Sequence, residues 1–281
     1  MISRAPGEGA TNTPMTVSPN APNIQSGGGE ASWSATIKYT EGRIFNPRTG
    51  VQDKVHLRTY QGSGIDPDYP FVAPTISLYS GDTFRMTLDN QLPADDPSCG
   101  AHDNVNTPHC FNSTNLHAHG LWVSPMGNSD NVLLRINPGV KFEYEYNIPA
   151  DHPAGTFWYH PHLHGSTALQ VSSGMAGALI VHGTRLPNTG QPGDIDTLLR
   201  RDDGTAFQER IVLLQQIPYA CRDSAGRIKT DPPGADNGVW VCEPNDVGEI
   251  ERYSGPVDPD QFGPPSWPNS GRYTTINGRT I

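Results

Sequence analysis

The chain has 281 residues, a net charge of −10 and a sequence pI near 5.4, which is enough for one full domain and part or all of a second. The acidic balance, with no basic patch, argues against a nucleic-acid or anionic-membrane partner. No apolar run approaches the length of a transmembrane helix, and 30 Gly with 27 Pro point to short strands joined by turns.

Residues 1–30 are rich in Gly, Pro, Ser, Asn and Thr and lack the hydrophobic core of a signal peptide. They read as a disordered leader. Short strands are expected at Ala35–Tyr39, Val55–Thr59, Thr75–Tyr79 and Thr83–Asp89, punctuated by Asn-Pro and Gly-Asp pairs. The loop Pro93–Cys110 is polar and carries His102 and His109. Asn115-Leu-His-Ala-His-Gly120 then reads as a strand, and a long turn containing Asp130 follows. Lys141–Ile148 alternates apolar and polar residues, the pattern of a half-buried strand. Thr156–Tyr159 leads into a second histidine pair, Ser166–Val171 has the length of one helical turn, and Gly177–Val181 closes the unit as a buried strand. Seven or more strands in about 150 residues suggest a Greek-key β-sandwich. After Gly183 the texture changes: residues 187–281 hold eleven Pro and eleven Gly, and only Arg210–Gln215 and Arg272–Ile281 read as strands. Two strands cannot bury a core on their own.

Cys99, Cys110, Cys221 and Cys242 fall into two local pairs, although four cysteines permit three connectivities. A Cys99–Cys110 bridge would close a short loop and contribute roughly 3 kcal/mol in the loop-entropy picture. Paired cysteines fit an oxidising compartment. The competing readings are free thiols, or zinc held by Cys99, His102, His109 and Cys110. Asn112-Ser-Thr114 is a glycosylation sequon.

Five of the ten histidines lie between Asn115 and Gly165: His117, His119, His160, His162 and His164. Residues two apart in a strand point to the same face. His117-Ala-His119 and His160-Pro-His162 therefore each offer two imidazoles to one side. If the two strands are neighbours, four imidazoles converge, and neutral imidazole suits copper, zinc, iron and nickel. The bland alternative is a set of strand histidines with ordinary hydrogen bonds. Pro161 lacks an N–H, which places its strand at an edge or bulge. His164 continues the alternation, but Gly165 follows and bends the chain, so His164 reads as structural.

Asn115–Gly120 and Trp158-Tyr-His-Pro-His162 resemble the first two copper motifs of the multicopper oxidases, the laccase-like enzymes. The resemblance runs from about Ile37 to Gly183 and includes Ser80-Gly-Asp82, Pro138-Gly139 before Phe142–Tyr146, and Gly174-Met-Ala-Gly-Ala-Leu-Ile-Val181. It implies an all-β chain: a cupredoxin-like Greek-key β-sandwich over residues 31–185, then a loop-rich, incomplete second cupredoxin domain over 186–281. It also implies a trinuclear copper cluster, with His117 on the type 2 ion and His119, His160 and His162 on the type 3 pair. Asp130, eleven residues after His119, resembles an acidic residue near that cluster that relays protons to reduced oxygen.

The implied partners are dioxygen and a reducing substrate (a phenol-like compound, an aromatic amine or a metal ion), with no nucleic acid and no membrane. The implied place is periplasmic or secreted. A type 1 copper needs a cysteine thiolate with two histidines, and none of the four cysteines has that setting. The resemblance thus implies the N-terminal part of a longer oxidase, inactive alone. Its type 1 site and the rest of its cluster would lie in a further C-terminal cupredoxin domain in cis, or in another subunit. The rival is a non-catalytic cupredoxin-like copper-binding or scaffold protein. A two-domain copper oxidase would need its His-Cys site within these residues.

Overall fold

The computed structural model describes residues 19–99, 108–235, 238–250 and 273–280. Nine strands build the main body: β1 (Asn23–Gln25), β2 (Glu30–Asn46), β3 (Val51–Gly62), β4 (Thr75–Tyr79), β5 (Thr83–Asn90), β6 (His117–His119), β7 (Lys141–Asn147), β8 (Gly155–His160) and β9 (Gly177–His182). One sheet has the order β1-β4-β9-β8-β6, and the other contains β3-β2-β5-β7. From β4 to β8 the chain alternates between the two sheets, which gives the Greek-key sandwich expected from the strand pattern. The short helix α1 (Thr167–Ser172) lies between β8 and β9.

The alternation along β2 shows how the sequence makes these layers. Ala31, Trp33, Ala35 and Ile37 point inward and are buried, while Glu30, Ser32 and Ser34 face out. Phe84, Met86 and Leu88 of β5, Tyr144 and Tyr146 of β7, and Tyr159 of β8 meet them in one core. Trp33 packs edge-on against Tyr60 at 5.5 Å and Tyr159 at 6.0 Å between ring centroids, a favoured aromatic geometry.

The expected leader needs correction at its end. Residues 1–18 lie outside the described residues, but Asn23–Gln25 form β1 and pair in parallel with β4. The reason is local: β4 would otherwise be an edge, and edges need covering, while Ile24 packs against the core. β2 and β3 also run well beyond Ala35–Tyr39 and Val55–Thr59. Their hairpin is closed by Gly50, whose N–H reaches Asn46 O at 2.9 Å with φ 72°, a backbone region that suits glycine.

Beyond the sandwich lie α2 (Ile195–Leu198), β10 (Leu214–Ile217), β11 (Thr230–Asp231), β12 (Val239–Trp240), β13 (Val247–Gly248), β14 (Tyr273–Ile276) and β15 (Arg279–Thr280). β10-β14-β15 make a small sheet, β11 pairs with β12, and β13 adds to β3 in parallel. This segment therefore also packs on the sandwich. Ile217, Tyr219 and Ile250 join Val55, Leu57, Phe71 and Phe111 in a second apolar cluster. Tyr219 Oη donates to Asp53 Oδ2 at 2.7 Å, and Arg58 Nη1 donates to Ile250 O at 3.2 Å.

Both local cysteine pairs are bonded, Cys99–Cys110 and Cys221–Cys242. That removes the free-thiol and zinc readings; His102 lies outside the described residues. The sequon is closed as well. Asn112 is buried, its Nδ2 donates to Pro93 O, and its Oδ1 accepts from Arg58 Nε, so the amide nitrogen is not presented for modification. Among the described residues no helix is long and apolar enough to cross a membrane.

Candidate metal centre

β6 is an edge strand of three residues, and its register against β8 decides the site. His117 stands opposite His160, Ala118 opposite Tyr159, and His119 opposite Trp158. Ala118 and Tyr159 point into the core. By the same alternation His117, His119, Trp158 and His160 share the outward face. Gly120 ends the strand at φ 91°, and a Cβ there would sit 3.0 Å from the Phe157 ring.

The rings converge. His117 lies 5.3 Å from His119, 5.3 Å from His160 and 5.0 Å from His162, centroid to centroid. His117, His119 and His160 each bring a ligand nitrogen within 4.8 Å of the others. His162 stands beyond the end of β8, with its ring 5.7 Å from that of His160. The bland reading of scattered strand histidines does not describe this arrangement.

Three of the four rings are held through a second nitrogen or a stacked face. His117 Nδ1 lies 3.0 Å from both carboxylate oxygens of Asp130, and Asp130 Oδ1 also accepts the Ala118 N–H at 2.8 Å. Asp130 is therefore not a solvated turn residue; it aims His117 Nε2 outward, as outer carboxylates do for metal-bound imidazoles. His160 Nδ1 donates to Pro161 O at 2.8 Å, and its Nε2 faces His119 Nδ1 at 3.4 Å. Burial pushes the His160 imidazole down from 6.5 to about 4, helped by the three neighbouring imidazoles and opposed by the Pro161 carbonyl. His160 is thus neutral, the ligating form, through the physiological range. Trp158 stacks on His160 at 4.0 Å and on His119 at 5.2 Å.

Residues 104–185 match the family model described as multicopper oxidase. Laccase-2 of Fomitopsis schrenkii is 33% identical over 78% of this chain and 36% of its own length. The iron transport multicopper oxidase FET3 of Gibberella zeae is 32% identical over 43% of this chain and 18% of its own. This chain belongs to the multicopper oxidase family. A laccase structure from Pediococcus acidilactici aligns over 99% of this chain and 43% of that one, at 20% identity and a TM-score of 0.46. The chain spans about a third of the length of the first of these relatives.

Membership in the multicopper oxidases implies copper, and the donor set fits it. The converging groups are imidazole nitrogens, which suit copper, and the buried one is held neutral. The motifs of this multicopper oxidase chain point to the four histidines but not to the residues that support them. Trp158, inside the second motif, supplies the ring on which His160 and His119 stack. Tyr144 and Tyr146 grip the backbone just before His117: Leu116 N–H donates to Tyr144 Oη at 2.9 Å, and Tyr146 Oη donates to Leu116 O at 3.4 Å. Burial pushes both phenols up, so both stay protonated hydroxyls. His152 is fully buried and accepts the Trp122 N–H at Nε2, fixing the turn after His119. The signal for these lay in cross-strand distances, which no spacing rule reports. His164 is exposed and packs edge-on against His109 at 6.0 Å.

Proposed function

We propose that this chain supplies half of a trinuclear copper site in an oxidase that couples one-electron oxidation of a reducing substrate to four-electron reduction of dioxygen to water. The observation that carries this reading is the single outward face shared by His117, His119 and His160, with His162 beside it. His117 is the ligand of the type 2 ion, and His119, His160 and His162 are ligands of the type 3 pair. Bound copper would supply one electron per ion, three from the cluster and a fourth through the electron-entry site, so that dioxygen is reduced to water without release of superoxide or peroxide. The chain's own residues bind and orient. Asp130 takes the Nδ1 proton of His117 in a hydrogen bond and keeps Nε2 available. The same carboxylate would hand on protons as oxygen is reduced. Burial keeps His160 from competing for protons.

The electron-entry site and the remaining ligands come from a further cupredoxin domain in cis, or from another subunit. The sandwich from β1 (Asn23–Gln25) to about residue 185 is the first cupredoxin domain, and 186–281 are a linker and the opening of the second. The reducing substrate is a phenol-like compound, an aromatic amine or a metal ion; the similarity to both a laccase and an iron transport oxidase supports that range. Two disulfides support a periplasmic or secreted location.

The test is copper content, optical and EPR spectra, and oxygen uptake of the purified chain. The chain alone is expected to hold copper, to lack an intense blue band and to consume no oxygen with a phenol or ferrous iron. Oxygen uptake by the chain alone would overturn the half-site reading, and failure to retain copper would overturn the ligand assignment.

A further inference from the structure

We propose that Asn115 is a positioning residue for the copper ligands, holding His162 in the frame set by the first histidine pair; this rests on the reading of His162 as a ligand. Asn115 is fully buried, two residues before His117. Its Oδ1 accepts the His162 N–H at 2.6 Å. Its Nδ2 donates to Val132 O at 2.9 Å and to Leu134 O at 3.1 Å. A carboxamide has two N–H donors and one acceptor oxygen, and here all are engaged. The amide thus ties together the segment carrying His117 and His119, the turn carrying Asp130, and the segment carrying His160 and His162.

The need for such a tie follows from where β8 stops. The strand ends at His160, and Pro161 has no N–H to offer. His162 therefore carries the first backbone donor beyond the strand, with no ladder to place it. Asn115 takes that donor. The amide itself is held still because its neighbour Leu116 is gripped by the Tyr144 and Tyr146 hydroxyls. Asn115 lies just outside β6, and its side chain completes a buried hydrogen-bond network between three segments. Without the tie, the chain past Pro161 is free to turn, and the ring 5.0 Å from His117 and 5.7 Å from His160 loses its register.

The experiment is a copper(II) titration of the purified chain against a competing chelator, up to two equivalents, with near-ultraviolet circular dichroism as the check on folding. Wild type, Asn115→Ala, Asn115→Asp, His162→Ala and the double variant Asn115→Ala/His162→Ala are compared. Asn115→Ala is expected to weaken copper binding by roughly 10–100-fold, the usual cost of losing an outer-shell partner. Asn115→Asp keeps the acceptor for the His162 N–H but turns its second oxygen toward the Val132 and Leu134 carbonyls, so it is expected to recover only part of that loss. In the His162→Ala background the Asn115→Ala penalty is expected to vanish, because the residue it acts through is gone. An undiminished penalty in that background would overturn the proposal and leave the ligand assignment standing. An unchanged copper affinity in His162→Ala alone would overturn the assignment, and the proposal with it. Should Asn115→Ala not fold, Asn115→Ser, which leaves room for a water to serve the two carbonyls, takes its place in the same cycle.

Discussion

The two outward faces of the sandwich are finished differently. On the β2–β3 side, the buried polar groups are closed off within the chain. Asp53 accepts from Asn46 Nδ2 at 2.9 Å and from Tyr219 Oη at 2.7 Å. Arg58 reaches Asn112 and the Ile250 carbonyl. Ile217, Tyr219 and Ile250 then seal the surface with apolar area. On the β6–β8 side the supports are equally buried, but the rings they aim are not covered. His119 and His162 are exposed, and the turn from His119 to Ile136 displays Trp122, Met126 and Leu133 at 59%, 72% and 88% exposure. One face is held by its own chain; the other is organised from behind and left open in front.

The largest effect should come from the one buried ring on the open face. His160→Gln keeps most of the side-chain volume and removes the nitrogen that faces His119. Copper affinity, measured by chelator competition, should fall by more than the roughly 10–100-fold typical of an outer-shell loss. The same variant should change the acid profile of the metal-free chain. The folded His160 resists protonation until about pH 4, while the ordinary value is 6.5. The unfolded chain therefore binds the proton first, and stability present above pH 6.5 is lost as pH falls toward 4. Chemical denaturation at pH 7 and pH 5 should show a smaller difference in the variant than in wild type. An equal difference would mean that His160 is not the group being held neutral.

A smaller effect is expected at Asp130, which touches the metal face only through His117. Asp130→Asn keeps an oxygen for the Ala118 N–H but places an amide where both carboxylate oxygens meet His117 Nδ1. Copper affinity should drop roughly 10-fold, toward the low end of outer-shell losses. No change in affinity would return Asp130 to a purely structural role.

How far the sequence shows this difference depends on the range of each contact. Thr75–Tyr79 coincides with β4, and Lys141–Ile148 with β7 to within one residue, because period-two alternation is a local property. The four histidines were legible for the same reason. Ile24 was hidden by its Gly- and Ser-rich neighbours, and β13 is two residues long, too short to carry a period. Asn115 and Trp158 sat in plain view inside the motifs. Their roles come from the register of β6 on β8 and from the strand stopping at His160, and both are properties of two segments at once. The exposure of the rings follows from the same limit: spacing shows which histidines share a face, whereas only the fold shows how far each is buried.

The closed face offers the mildest test, because its alteration should leave the open one alone. Tyr219→Phe removes the hydroxyl from Asp53 but keeps the ring in the apolar cluster with Val55, Leu57 and Ile250. Asp53 retains only the Asn46 amide, and hydrogen bonds to charged groups contribute roughly 1.5–3 kcal/mol. The melting temperature should fall by a few degrees. Copper affinity should move by less than about twofold, since Asp53 lies on the sheet that does not carry the histidines and substitutions at separate sites act independently. A loss of copper affinity in step with the loss of stability would show that fastening the C-terminal segment also sets the ligand geometry. The two faces would then have to be treated as one cooperative unit.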